Sequence, residues 1–199
     1  MLVPTLVAAV VAVALAGVGT ASATVLCPTS TAPCSAMYST GSKVSTSLLI
    51  ESSITWTTWE GLTIGTCTSG TVSFTTTNTG SATETSLGAI EGEGLSWGGC
   101  SGTTLTIERG KTELHWISGT ANGTITATGM RVTVKAFLYG TCEFTSGENL
   151  HLGKFTGGST PTIEVEAWMT TVSGSCPSPT RWKGTYLVTN PTPIYVLES

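Results

Sequence analysis

The stretch Gly94-Leu95-Ser96-Trp97-Gly98 matches the G-x-S-x-G pattern that seats a nucleophilic serine in many acyl hydrolases. An acid and a histidine follow it in the chain, as Glu143 or Glu148 and then His151. Chain order does not forbid a triad on any scaffold. The pattern nevertheless needs a sharp strand-to-helix turn at the top of a mostly parallel sheet. Here residues 88–102, GAIEGEGLSWGGCSG, lead into a β-type run at Thr103–Ile107, with no amphipathic helix behind them. The chain contains no aspartate, so the acid would have to be a glutamate. The residues read as a glycine-rich loop in which Trp97 packs and Cys100 is bridged. No catalytic residue is assigned, and a serine hydrolase using Ser96 stands as the alternative.

Other groups able to do chemistry are few. Glu164 and Glu166 alternate along a strand pattern, about 7 Å apart, near the spacing of glycosidase carboxylates. Their expected role is to charge a strand that would otherwise be sticky, opposite Arg181 and Lys183. Glu91 and Glu93 fall in the glycine-rich loop. His115 shares strand parity with Glu113, opposite Leu114 and Trp116, and reads as a solvated histidine; His151 reads the same way. With two histidines and no C-x-x-C pair, no metal site is expected. Phosphate loops, EF-hand loops and dinucleotide fingerprints are absent, and no cofactor is expected. Six tryptophans are many for a chain of this size. Most belong in a core, where the ring contributes large buried area. By parity Trp168 shares a face with Glu164 and Glu166, which makes these three the candidate binding residues, for a sugar ring or a partner protein.

The elements that must hold these residues are strands. In Thr162–Val172, Ile163, Val165, Ala167 and Met169 fall on one face, and Glu164, Glu166, Trp168 and Thr170 on the other. That period of two marks a half-buried strand. Val132, Val134, Ala136 and Leu138 alternate in the same way with Arg131, Thr133 and Lys135. Further strands are expected at Leu48–Trp56, Glu60–Cys67, Thr71–Thr77, Thr103–Ile107, Thr112–Ile117, Thr124–Thr128, Arg181–Val188 and Ile194–Glu198. Asn122-Gly123 lies between two such runs and signals a hairpin; Glu108-Arg109-Gly110-Lys111 reads as a second hairpin turn. Residues 24–47, rich in Ser, Thr, Ala and Pro, read as an irregular leader, and 48–199 as a single all-β domain. About ten short strands with turn signals between them predict an antiparallel β-sandwich or barrel.

Composition agrees. Threonine is about one residue in five, and charged residues are 10% of the 199. Threonine and valine suit a pleated surface. A net charge of −4 with scattered basic residues argues against nucleic acid as a partner. Residues 1–26 carry no charge. Leu6–Val18 has the length of a signal-peptide core, and Ala21-Ser22-Ala23 supplies small residues at the −3 and −1 positions. The expectation is a signal peptide over 1–23, a mature chain from Thr24 and no membrane span after cleavage. Met1–Pro4 lacks the basic residue that usually opens such a signal. An uncleaved anchor is the competing reading.

Export turns the six cysteines, Cys27, Cys34, Cys67, Cys100, Cys142 and Cys176, into up to three disulfides. Cys27 and Cys34 would close a small local loop. Ile64-Gly-Thr-Cys67 resembles Tyr139-Gly-Thr-Cys142, and the next cysteine follows 33 residues later in one case and 34 in the other. The simplest pairing is Cys67–Cys100 with Cys142–Cys176, with an internal duplication as its rationale. Six cysteines allow fifteen connectivities, and spacing leaves the others open.

The segments IGTCTSGTVSF, GLSWGGCSGTTLTI and YGTCEFTSG make the run from Cys67 to Val188 resemble the small Thr/Gly-rich secreted β proteins of actinobacteria, uncharacterised in function. The Cys, Gly and Trp spacing is also similar to that of the secreted alkane-oxidation activator family. No catalytic residue carries over from either. The expected function is a secreted, non-catalytic β-domain with a binding or structural role at the cell envelope or outside the cell. Its partner would be an envelope polymer or another protein. A small apolar-ligand carrier is a further alternative, and it requires an apolar cavity.

Overall fold

The computed structural model describes residues 24–76, 86–87, 95–101, 104–108, 110–136 and 139–198. The expected signal segment, Glu91 and Glu93 lie outside them. The described chain is all-β, with sixteen strands and no helix. They are β1 (Thr24–Cys27), β2 (Lys43–Leu48), β3 (Ile54–Thr58), β4 (Thr63–Cys67), β5 (Ser69–Thr75), β6 (Ser86–Leu87), β7 (Leu95–Gly98) and β8 (Thr104–Glu108). Then follow β9 (Lys111–Trp116), β10 (Gly123–Thr128), β11 (Arg131–Ala136), β12 (Gly140–Thr145), β13 (Leu150–Thr156), β14 (Thr162–Ser173), β15 (Thr180–Asn190) and β16 (Tyr195–Glu198).

Every pairing between these strands is antiparallel, and the long β14–β15 hairpin is the spine. At one end of the hairpin β14 pairs with β13 and β15 with β2; at the other β14 pairs with β12 and β15 with β3. Two runs of strands therefore share this hairpin. One is β6-β9-β10-β13-β14-β15-β2-β5-β7, and the other is β8-β11-β12-β14-β15-β3-β4. β1 pairs with β16 as a separate two-stranded sheet. Among the described residues no closed barrel forms, but the first run curls: Phe74 of β5 and Thr112 of β9, near its two ends, line one cavity together with Ile163 and Tyr186 from its middle.

The period-two pattern predicts the core. Ile163, Val165, Ala167 and Met169 are buried, as are Val132 and Val134, while Glu164, Glu166, Trp168 and Thr170 are exposed. Trp56 and Trp182 are cross-strand neighbours on β3 and β15, stacked at 5.7 Å between centroids and 8° between planes. Phe144 of β12 stacks on Trp56 at 5.5 Å, and Trp97 of β7, from the first run, meets both tryptophans edge-on. Such ring clusters contribute beyond their buried area.

Several local expectations are corrected. The leader over 24–47 is partly strand: β1 is fully buried, and β2 is a central strand between β15 and β5. Asn122-Gly123 is not the turn. The β9–β10 loop runs over 117–122, closed by the Ile117 amide donating to the Asn122 carbonyl, and its left-handed residue is Gly119 at φ 74°. Gly123 sits inside β10, where a Cβ would lie 2.7 Å from Leu114 Cδ1. Asn122 Oδ1 accepts the Gly157 amide at 3.0 Å, which ties the end of this loop to the residue after β13. Glu108–Lys111 is not a hairpin turn either, because β8 pairs with β11 and β9 with β10 and β6. β8 belongs to the second run and β9 to the first.

Three disulfides join Cys27 to Cys34, Cys67 to Cys100 and Cys142 to Cys176. The two longer bridges sit in different surroundings. β12, which carries Cys142, is the direct neighbour of β14, after which Cys176 falls; β4, which carries Cys67, pairs with β3, while β7, before Cys100, pairs with β5.

Candidate functional site

Ser96 is exposed on β7 rather than perched on a strand-to-helix turn, so the loop expected over 88–102 contains a strand at 95–98. Its hydroxyl hydrogen-bonds Thr71 Oγ1 at 2.8 Å. His151 lies on β13, five strands away along the first run. Glu143 forms an ion pair with Arg131 and accepts from Ser173 Oγ. Among the described residues no hydrogen bond or ion pair joins Ser96, Glu143 and His151. His115 is exposed on β9 and meets Thr126 Oγ1 at 3.1 Å. No group of three metal-ligating side chains occurs among the described residues.

The predicted binding residues do form one surface. Glu164, Glu166 and Trp168 point outward from β14, and Trp168 is 43% exposed. Register extends that face across three more strands. Trp168 lies opposite Arg181 on β15, Arg181 opposite Thr57 on β3, and Thr57 opposite Thr63 on β4. The next row is Glu166, Lys183, Thr55 and Thr66. The Arg181 guanidinium stands over the Trp168 ring at 5.5 Å from its centroid and donates to Glu166 at 3.3 Å. A cation over the ring face is attracted by its quadrupole. The charged pair thus lies between the indole and the threonines of β3 and β4. Lys154 of β13 lies opposite Glu164, so the acids of this face are matched by Lys154, Arg181 and Lys183.

Sequence reasoning missed Trp59. It is 62% exposed at the tip of the β3–β4 turn, which is closed by the Thr58 amide to the Leu62 carbonyl at 2.8 Å and the Leu62 amide to Thr58 Oγ1 at 3.1 Å. It continues the outward parity of Thr55 and Thr57, opposite to buried Trp56. Its strand, β3, lies two strand spacings from β14, or about 10 Å. The alternation T-W-T-T-W held this signal, since residues 55, 57 and 59 share one parity.

A second feature lies inside the first run. An apolar cavity of about 40 Å³ is bounded by Ile125, Leu152, Ile163, Val165 and Phe74, with Trp182 and Tyr186 on the β15 side. Tyr186 is 1% exposed. Burial pushes its hydroxyl well above the usual phenol range, with hydrogen bonding to the Trp97 and Trp182 indoles acting the other way.

Comparison of the chain with family models, with curated proteins and with solved structures returns no match. No helix among the described residues is long and apolar enough to cross a membrane.

Proposed function

We propose that this is an exported, non-catalytic binding domain of the cell envelope or its surroundings, and that its outer β14-β15-β3-β4 face binds a neutral polysaccharide. The observation that carries the reading is Trp168, an exposed indole fixed by Arg181 and Glu166 in a field of threonine hydroxyls. A pyranose ring offers an apolar face to stack and a rim of hydroxyls to hydrogen-bond. This surface supplies both, whereas a protein-binding patch concentrates apolar area at its centre. The balance of Glu164 and Glu166 against Lys154, Arg181 and Lys183 suits an uncharged polymer. The spacing to Trp59 suits a chain of sugars rather than one. Three disulfides support an oxidising destination.

The test is cosedimentation of the mature protein with insoluble β-glucans and purified cell walls, with tryptophan fluorescence on soluble oligosaccharides. Trp168→Ala is expected to weaken binding about tenfold at an unchanged melting temperature, because the side chain lies outside the core. Retention of full affinity in both Trp168→Ala and Trp59→Ala refutes the assignment of the face. Labelling of Ser96 by a fluorophosphonate refutes the non-catalytic reading.

A further inference from the structure

The cavity inside the first run is lined by seven consecutive strands, β9, β10, β13, β14, β15, β2 and β5, which wrap around it. Its surface is wholly apolar. The polar side chains on its wall turn their hydroxyls elsewhere. Thr46 donates to the Val72 carbonyl at 3.0 Å and accepts the Val72 amide at 3.2 Å. The Tyr186 hydroxyl is hydrogen-bonded to the Trp97 and Trp182 indoles. Thr112 Oγ1, buried without a partner among the described residues, does not face the space either. A buried water needs about two to four polar partners. This cavity offers it none and therefore stays dry.

Nor can the space close on itself. Each wall strand is held in antiparallel register by its neighbours, so narrowing the cavity means sliding strands rather than turning one side chain. The atoms around it lack partners on their inner side and forfeit dispersion contacts. A guest that fills the space without asking for a hydrogen bond restores them. Dry apolar cavities of about 150 Å³ take up benzene or xenon. With a volume of about 40 Å³, this one has room for a guest of about one to three heavy atoms. We infer that the cavity is a binding site for a nonpolar molecule of gas size, held by contact with Phe74, Ile125, Leu152, Ile163 and Val165. A guest of the same size bearing a hydroxyl is rejected, because its polar group would leave water for a wall with no partner to offer. This site faces the interior of the β14–β15 hairpin, opposite the Trp168 face, and stands or falls independently of the polysaccharide reading.

The probes are xenon, which is nonpolar, and methanol, which is also small but carries a hydroxyl. The mature, disulfide-bonded protein is titrated with each, and the indole N–H resonance of Trp182, whose side chain lines the cavity, is followed by NMR. A saturable shift with xenon is expected, and none with methanol. Ile163→Phe, which fills the cavity from the β14 wall, is expected to abolish the xenon shift. Val165→Ile, which adds a single methyl group to the same wall, is expected to weaken xenon binding several-fold. Near-ultraviolet circular dichroism checks that both variants are folded. Absence of a saturable xenon shift in the wild-type protein overturns the inference, as does methanol binding as tightly as xenon. Unchanged xenon affinity in both folded variants overturns it too, since the xenon would then sit elsewhere.

Discussion

Gly153 offers a sharp test of the fold, because what surrounds it is backbone. It lies on β13 between β10 and β14, opposite Val165 and beside the bulge at Ile125/Thr126. A Cβ built on it would collide with the Glu164 carbonyl oxygen and stand 2.9 Å from the Glu164 carbonyl carbon and 3.0 Å from Val165 Cα. Carbon pairs prefer about 3.5–4.0 Å, so Gly153→Ala forces β13 and β14 apart. No flexible side chain can turn aside to absorb this. Overpacking typically costs about 1–3 kcal/mol, and with backbone on both sides the upper figure applies. At about 2–4 °C per kcal/mol for a chain of this size, the melting temperature should fall by roughly 6–12 °C. The assay is calorimetry on the mature, disulfide-bonded protein, with Gly119→Ala alongside. Nothing lies within 4 Å of a Cβ at Gly119, which sits at φ 74°, so that variant carries only left-handed backbone strain of about 1–2 kcal/mol. If Gly153→Ala melts within about 2 °C of wild type, the close approach of β13 to β14 is wrong, and with it the shape of the curled run.

Two further outcomes follow from the same structure. The Cys142–Cys176 bridge closes a separation of 34 residues and Cys27–Cys34 one of 7. Loop entropy then predicts a loss of about 4 kcal/mol for Cys142→Ala/Cys176→Ala against about 2.5 for Cys27→Ala/Cys34→Ala, read by urea denaturation. Tyr186 is held neutral in the folded protein, while in the unfolded chain it ionises near pH 10. Its contribution is complete below that pH and is lost as pH rises above it, by up to about 1.4 kcal/mol per unit. Denaturation midpoints from pH 8 to 12 should show this fall, and Tyr186→Phe should flatten it.

How much of the fold is readable from sequence depends on how the pattern counts threonine. Thr162–Val172 is legible because its buried face carries Ile, Val, Ala and Met. β2, KVSTSL, is not, since its buried positions are Val44 and Thr46. Thr46 is admitted to the interior because its hydroxyl is satisfied by the Val72 backbone, a partner 26 residues away. Turn chemistry misleads for a related reason. Asn122-Gly123 has the residues of a tight hairpin, but pairing of β10 with both β9 and β13 claims Gly123 for the strand. The Glu108–Lys111 stretch has local turn character, yet which strands it connects is decided by β11, over twenty residues later.

The two candidate sites differ in legibility for the same reason. Trp168 is visible because parity along a single strand separates it from Met169. The cation over its ring is not, because Arg181 reaches it only through the β14–β15 register. The cavity has no local trace at all, since its walls come from strands spread between Thr46 and Tyr186. Both sites nonetheless converge on one hairpin. Arg181 and Trp182 are adjacent residues, one over the outward indole and the other on the wall of the inner cavity. Strand parity places them on opposite faces, so truncating Trp168 should leave the Trp182 resonance unmoved. A change that displaces β15 itself should disturb both sites together. Separable responses to side-chain changes, and joint responses to changes in the hairpin backbone, are what this architecture requires.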